Sequence, residues 1–136
     1  MSGSNFEIRK SVLTILKLDS KRLYERIVER RKEYMATFAV KRTREHFKEV
    51  FKSRYDTITF SDLKILSPEL IGCLDSYYTL VDNLKWYLYS TEDMPATVQD
   101  KTEKDVKELK GSFDTLSLYL DAELDVSQQG SEEVAS

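Results

Sequence analysis

The sequence predicts an all-α protein: an antiparallel, up-and-down four-helix bundle with long helices and a disordered acidic C-terminal tail. Three observations predict it. Among 136 residues only four are Gly and two Pro, while 33% are charged, a composition rich in helix formers and poor in chain breakers. Apolar residues recur every three or four positions over long stretches, the period of an amphipathic helix. The links between those stretches are short, and short links set successive helices antiparallel. Residues 1–125 are expected to form one bundle domain and residues 126–136 the tail. With 40% hydrophobic residues, a domain of this size buries enough surface to fold without metal or disulfide.

The first element is expected over Asn5 to Leu18, where Ile8, Val12, Ile15 and Leu16 hold helical spacing and Ser4 or Asn5 can cap the start. Asp19 and Ser20 offer a fresh cap and so predict a bend. No Gly or Pro follows until after Arg54, so a second helix over 20–54 is expected, about 50 Å long at 1.5 Å per residue. Its stripe is Leu23, Ile27, Tyr34 and Phe38, shifting in phase after Val40 to Phe47, Val50 and Phe51. Whether 19–54 is one straight helix or two stays open at this point.

Tyr55 to Leu66 mixes β-branched and turn residues and reads as a packed connection with a helical turn near Ser61. Ser67-Pro68-Glu69 is the clearest helix start: a hydroxyl cap, proline in the first turn and an acid at the positive dipole end. That helix is expected to run to Ser90 on Leu70, Leu74, Tyr77, Leu80, Val81, Leu84 and Leu88. After a short link, Pro95 opens the last helix, in which Val106, Leu109, Phe113, Leu116 and Leu120 form a heptad seam. Gly111 inside that seam suggests a close helix approach.

Net charge is −3 with pI near 5.3, but it is unevenly placed. Residues 1–64 carry 16 Lys and Arg against 9 Asp and Glu; residues 65–136 carry 5 against 15. The asymmetry suits basic helices lying against acidic ones, in this chain or in a second copy, and secondarily a basic face for an anionic partner. Cys73 is the single cysteine, which excludes an internal disulfide and a CxxC metal site and suits a reducing compartment. No apolar run approaches the roughly 18 residues of a membrane span, and no cleavable leader is evident. A cytoplasmic protein is expected.

Chemistry-bearing motifs are sparse. His46 is the sole histidine, which excludes the paired Glu-x-x-His ligands of di-metal bundles and leaves no zinc or haem set. No G-x-S-x-G or glycine-rich phosphate loop is present. Four-helix phosphotransfer domains place Lys three and Gly four residues after their acceptor histidine. Here those positions are Glu49 and Val50, so His46 reads as a boundary packing residue. No cofactor or metal is expected.

Two surfaces remain. Tyr78, Trp86, Tyr87 and Tyr89 crowd one helix, with Trp86 and Tyr89 off its leucine stripe, and exposed Tyr and Trp are enriched where protein partners bind. These four are the candidate partner-binding residues. Arg26, Arg30, Arg31, Lys41, Arg42 and Arg44 are the alternative, an anion-binding set on the basic helix. Interleaved Glu25, Glu29, Glu33, Glu45 and Glu49 dilute its field, and no nucleic-acid recognition motif accompanies it, so nucleic acid is disfavoured.

Within that basic stretch, Glu29-Arg30-Arg31 through Lys41 is similar to the segment with which all-helical chorismate mutases hold a dicarboxylate. The likeness spans about 13 residues. Residues 47–70 contain no Asp-x-x-Arg-Glu, so half of the site the resemblance implies is missing, and a helical enzyme is the third reading. The first is a non-enzymatic protein-interaction module (adaptor, chaperone-like or regulatory) binding another protein, with homodimerisation a further expectation.

Overall fold

α1 spans Ser2–Tyr24 because its apolar positions keep helical step through the expected bend. Leu13, Leu16, Leu23 and Ile27 are fully buried, and Asp19 and Ser20 lie within the same stripe, 8% and 1% exposed. The computed structural model of the protein describes the backbone of residues 2–135 and the side chains of residues 6–126. Within them the chain is all-helical, with six α-helices and no strand among the described residues.

The predicted cap at Asp19-Ser20 is therefore corrected. A buried polar group must find partners, and the Asp19 side chain and the Ser20 carbonyl find theirs at a distance in sequence. The Asp19 carboxylate accepts from Ser53 Oγ at 2.6 Å, from the Arg54 amide at 2.7 Å and from the Tyr78 hydroxyl at 2.7 Å. The Ser20 carbonyl accepts the Tyr77 hydroxyl at 2.8 Å. The Asp19 carboxylate is thus taken up by tertiary bonds, and the Ser20 hydroxyl turns back to donate to the Lys17 carbonyl at 3.2 Å, so neither side chain caps a new helix.

Glu25–Glu29 widens into a π turn, closed by the Arg30 amide donating to the Glu25 carbonyl at 3.1 Å. Such a turn leaves neighbouring carbonyls without their usual amide. Side chains take them: Tyr34 Oη donates to the Ile27 carbonyl at 2.6 Å, and the Arg31 guanidinium to that of Val28 at 2.8 Å. α2, Arg31–Lys41, follows. It ends where Arg42 turns left-handed, φ 54°, with its amide on the Phe38 carbonyl at 3.0 Å.

Residues 19–54, left open in the sequence as one helix or two, thus fall into the end of α1, the π turn and α2, and regular long helix stops at Lys41. From there the chain returns along α1 in short pieces: α3, Phe47–Val50; a 3-10 turn, Tyr55–Thr57; and α4, Phe60–Leu63. The direction of return is fixed by His46 Nε2 at 3.0 Å from the Tyr34 carbonyl, Arg26 Nε donating to the Val50 carbonyl at 3.1 Å, and the Asp19 contacts with 53–54. Phe47 anchors this stretch. It is fully buried, with Tyr34, Phe38, Phe51 and Tyr89 rings around it at 5.9–6.3 Å.

α5, Pro68–Ser90, starts as predicted, with Ser67 Oγ accepting the Leu70 amide at 3.1 Å. α6, Pro95–Ala135, lies between the other long helices. Arg9–Glu123 at 3.1 Å, Tyr24 stacked on Phe113 at 4.2 Å and Arg31–Glu103 at 2.7 Å run it antiparallel to α1 and α2. Tyr77 against Phe113 and Lys101 over the Tyr87 ring run it antiparallel to α5. The seam holds: Val106, Leu109, Leu116 and Leu120 are at most 5% exposed.

Gly111 departs from expectation. It sits on the exposed side of α6, and a Cβ there would meet nothing within 4 Å, so no helix approaches closely. The backbone of α6 continues through Ala135. The tail expected at 126–136 falls mostly on residues whose side chains lie outside those described.

Candidate partner-binding site

α5 turns its leucines toward the core and a mixed stripe away from it. Leu70, Leu74, Leu84 and Leu88 are at most 1% exposed, whereas Asp75, Thr79, Asp82, Lys85 and Trp86 are exposed. The latter fall at helical steps of three, four and seven, so they share one side of α5.

The return segment covers this side only in part. Between Phe51–Asp56 and α5 lies a groove of about 320 Å³ whose lining includes Tyr55, Asp56, Asp75, Tyr78, Asp82 and Lys85. It meets a second hollow of about 290 Å³ lined by Asp82, Lys85, Trp86 and Tyr89. Asp82 and Lys85 border both, so the two form one channel along α5. Its floor is aromatic: Tyr55 stacks on Tyr78 with centroids 3.8 Å apart and planes 11° from parallel. Its rim is acidic on balance, with Asp56, Asp75 and Asp82 against the one cation Lys85, none of them in an ion pair among the described residues.

Of the four candidate aromatics, only Trp86 stands free, 67% exposed. Tyr78 is 9% exposed and buries its hydroxyl on Asp19. It therefore forms floor rather than handle. Tyr87 is half-buried, donates to Asp93 at 2.8 Å and lies beneath the Lys101 ammonium at 5.7 Å. Tyr89 is half-buried with its ring edge-on to Phe47 at 5.9 Å, leaving one flank on the Trp86 hollow. Burial pushes the Tyr78 hydroxyl up, the hydrogen bond to Asp19 adding to it. For Tyr55 burial again comes first, followed by the nearby Asp75 and Asp56. Both remain neutral donors near neutral pH.

The alternative basic set is largely spent on the fold. Arg26 staples the return segment through the Val50 and Lys52 carbonyls. Arg30 pairs with Glu33 at 3.0 Å and Arg31 with Glu103 at 2.7 Å. Arg44 reaches the Thr91 carbonyl and lies 5.9 Å from the Phe38 ring. Lys41 and Arg42 remain exposed at the end of α2. Arg30 stands at the helix break, with φ −103° and ψ 20°, so it and Lys41 are not on one regular helix as the chorismate-mutase comparison requires. His46 is half-buried, its ring 4.2 Å from Phe47, a packing position.

Among the described residues no three His, Cys, Asp or Glu side chains gather in a way that could hold a metal ion, and no helix is long and apolar enough to cross a membrane. Burial, with Glu123 adding to it, pushes the Cys73 thiol up and makes it a poor nucleophile. Compared with known proteins, the chain matches no family model, no curated protein and no solved structure. Fold and groove define it as an all-α protein with an aromatic, acid-rimmed channel on its surface.

The sequence did not single out Tyr55, Asp56, Asp75, Asp82 or Lys85. The step from Asp75 to Asp82 to Trp86 was a usable signal for α5. Nothing local signalled that Tyr55 and Asp56 would complete the channel.

Proposed function

We propose that this chain is a non-enzymatic interaction module that holds another protein against the outer side of α5, with Trp86 as the anchor. The observation that carries the reading is an indole 67% exposed beside a hollow of about 290 Å³. An indole left in water is costly, and Trp is the residue type most enriched at the energetic centres of interfaces. Asp82, Lys85 and Tyr89 around it supply polar and aromatic contacts of the kind that surround such anchors. We read the return segment 43–66 as the irregular fourth member of the bundle, and its broken path is what leaves the channel open. A lone half-buried thiol suits the cytoplasm as the working compartment.

The test is capture by the immobilised full chain from native lysate, washed at high salt. A stoichiometric protein should stay bound, be lost with Trp86→Ala and be kept with Val40→Ala, which truncates an even more exposed apolar side chain elsewhere. Recovery only of nucleic acid or lipid that the salt wash removes would overturn the reading.

A further inference from the structure

The channel has a counterpart of opposite charge on the same molecule. A hollow of about 210 Å³ between α1 and the return segment is lined by Ile15, Leu18, Asp19, Arg22, Arg26, Lys52, Ser53 and Arg54. Ile15 and Leu18 are 42% and 46% exposed there, giving it an apolar floor. Arg22, Arg26, Lys52 and Arg54 form no ion pair among the described residues. The one carboxylate present, Asp19, is 8% exposed and already occupied by Ser53, the Arg54 amide and Tyr78.

The two hollows are neighbours. Both are lined by the segment 51–56, which turns Lys52 and Arg54 toward the basic hollow and Tyr55 and Asp56 toward the acidic channel, with Ser53 common to both. This adjacency decides what kind of contact the pair can make. Complementary patches on opposite sides of a molecule build open chains, whereas patches side by side satisfy each other twice under a two-fold axis. An axis through the 51–56 segment sets the basic hollow of each copy on the acidic channel of the other.

We propose that this surface is a homodimer interface, in which Arg22, Lys52 and Arg54 of each copy meet Asp56, Asp75 and Asp82 of the other, closing over the Tyr55–Tyr78 stack and over Ile15 and Leu18. The charge complementarity supplies register, and the apolar floors supply area that a salt-sensitive contact alone would lack. The inference goes beyond the Trp86 reading and does not rest on it: Trp86 does not line the larger groove, and the two surfaces share only Asp82 and Lys85.

Sedimentation of the full chain at about 100 µM in about 50 mM salt tests it, repeated at about 500 mM, where exposed charges more than a few ångströms apart are screened. The expected result is a dimer, at least tenfold weaker at high salt. Asp75→Lys with Asp82→Lys should be monomeric, and so should Arg22→Glu with Lys52→Glu. All four positions are exposed, and circular dichroism should show the helices intact. Mixing the two double variants should restore a dimer containing one copy of each, because one then carries two basic surfaces and the other two acidic ones. A monomer under the low-salt condition overturns the proposal. So does a dimer indifferent to both double variants, or growth into species larger than dimers.

Discussion

The Tyr78 hydroxyl donates to the Asp19 carboxylate at 2.7 Å, joining the middle of α5 to the C-terminal part of α1. The same carboxylate holds Ser53 and the Arg54 amide. One side chain thus ties two long helices to the segment that borders both surface hollows. Asp19→Ala leaves three buried or half-buried donors without an acceptor, each costing about 1 kcal/mol or more. Urea unfolding should show a loss of about 3 kcal/mol, and Asp19→Asn, which keeps one acceptor oxygen, a smaller one. Equal stability of the alanine variant would refute this account of the junction.

Alkaline pH should unfold the protein cooperatively. Burial is the first cause that pushes the Tyr34, Tyr77 and Tyr78 hydroxyls above their ordinary value of 10.0. In the unfolded chain these groups ionise near pH 10, whereas in the fold they stay protonated. Unfolding then releases protons, so the stability they contribute is whole below pH 10 and falls as pH rises beyond it. Melting temperatures by circular dichroism should be flat from about pH 7 to 9 and drop steeply above about pH 10. A flat profile to about pH 12 would mean that these hydroxyls titrate in the folded state.

Arg42 is the one non-glycine residue with positive φ among the described residues, at 54°. The left-handed region strains a side chain by about 1–2 kcal/mol, and glycine avoids that at some cost in chain entropy. Arg42→Gly should therefore stabilise the fold by about 0.5–1 kcal/mol, and Arg42→Val should destabilise it by more than that. The denaturant midpoints of the two variants should move in opposite directions.

Gly111 occupies a helix interior with open space where a Cβ would stand. Gly111→Ala should raise stability by about 1 kcal/mol. A rise in the thermal midpoint is expected, and a fall would reveal a close neighbour at this face, such as a partner seated on α6.

How much of this was legible beforehand follows from where each signal is held. The starts of α5 and α6 were legible because Ser67-Pro68 and Pro95 act locally, within one turn of chain. The seam from Val106 to Leu120 was legible because its period alone fixes the face. Asp19 and Ser20 misled, since the Asp19 carboxylate is used by Ser53 and Tyr78, more than thirty positions away, and the Ser20 hydroxyl donates back to the Lys17 carbonyl. The end of α2 carried no breaker, and an arginine in a left-handed turn leaves no mark in composition. Of the site, Trp86 was legible from helical phase. The channel was not, because it exists only where the return segment passes α5, and that path depends on Phe47 and Asp19 together.

The π turn at Glu25–Glu29 works as a phase shifter. Each residue of an α-helix advances the side-chain direction by about 100°, so one residue looped into a wider turn rotates everything after it by nearly that amount. Leu16 and Leu23 serve the core before the turn, while after it Tyr34 and Phe38 face Phe47 instead, with their ring centroids 6.1 Å from it. A chain shortened by a single residue within 25–29 would keep a more regular helix and the same composition. It would nonetheless swing Tyr34 and Phe38 away from Phe47, and the return segment would lose the wall it leans on. Length at this point is thus as strictly specified as residue type is in the core. A one-codon deletion here should do more harm than most substitutions in α2.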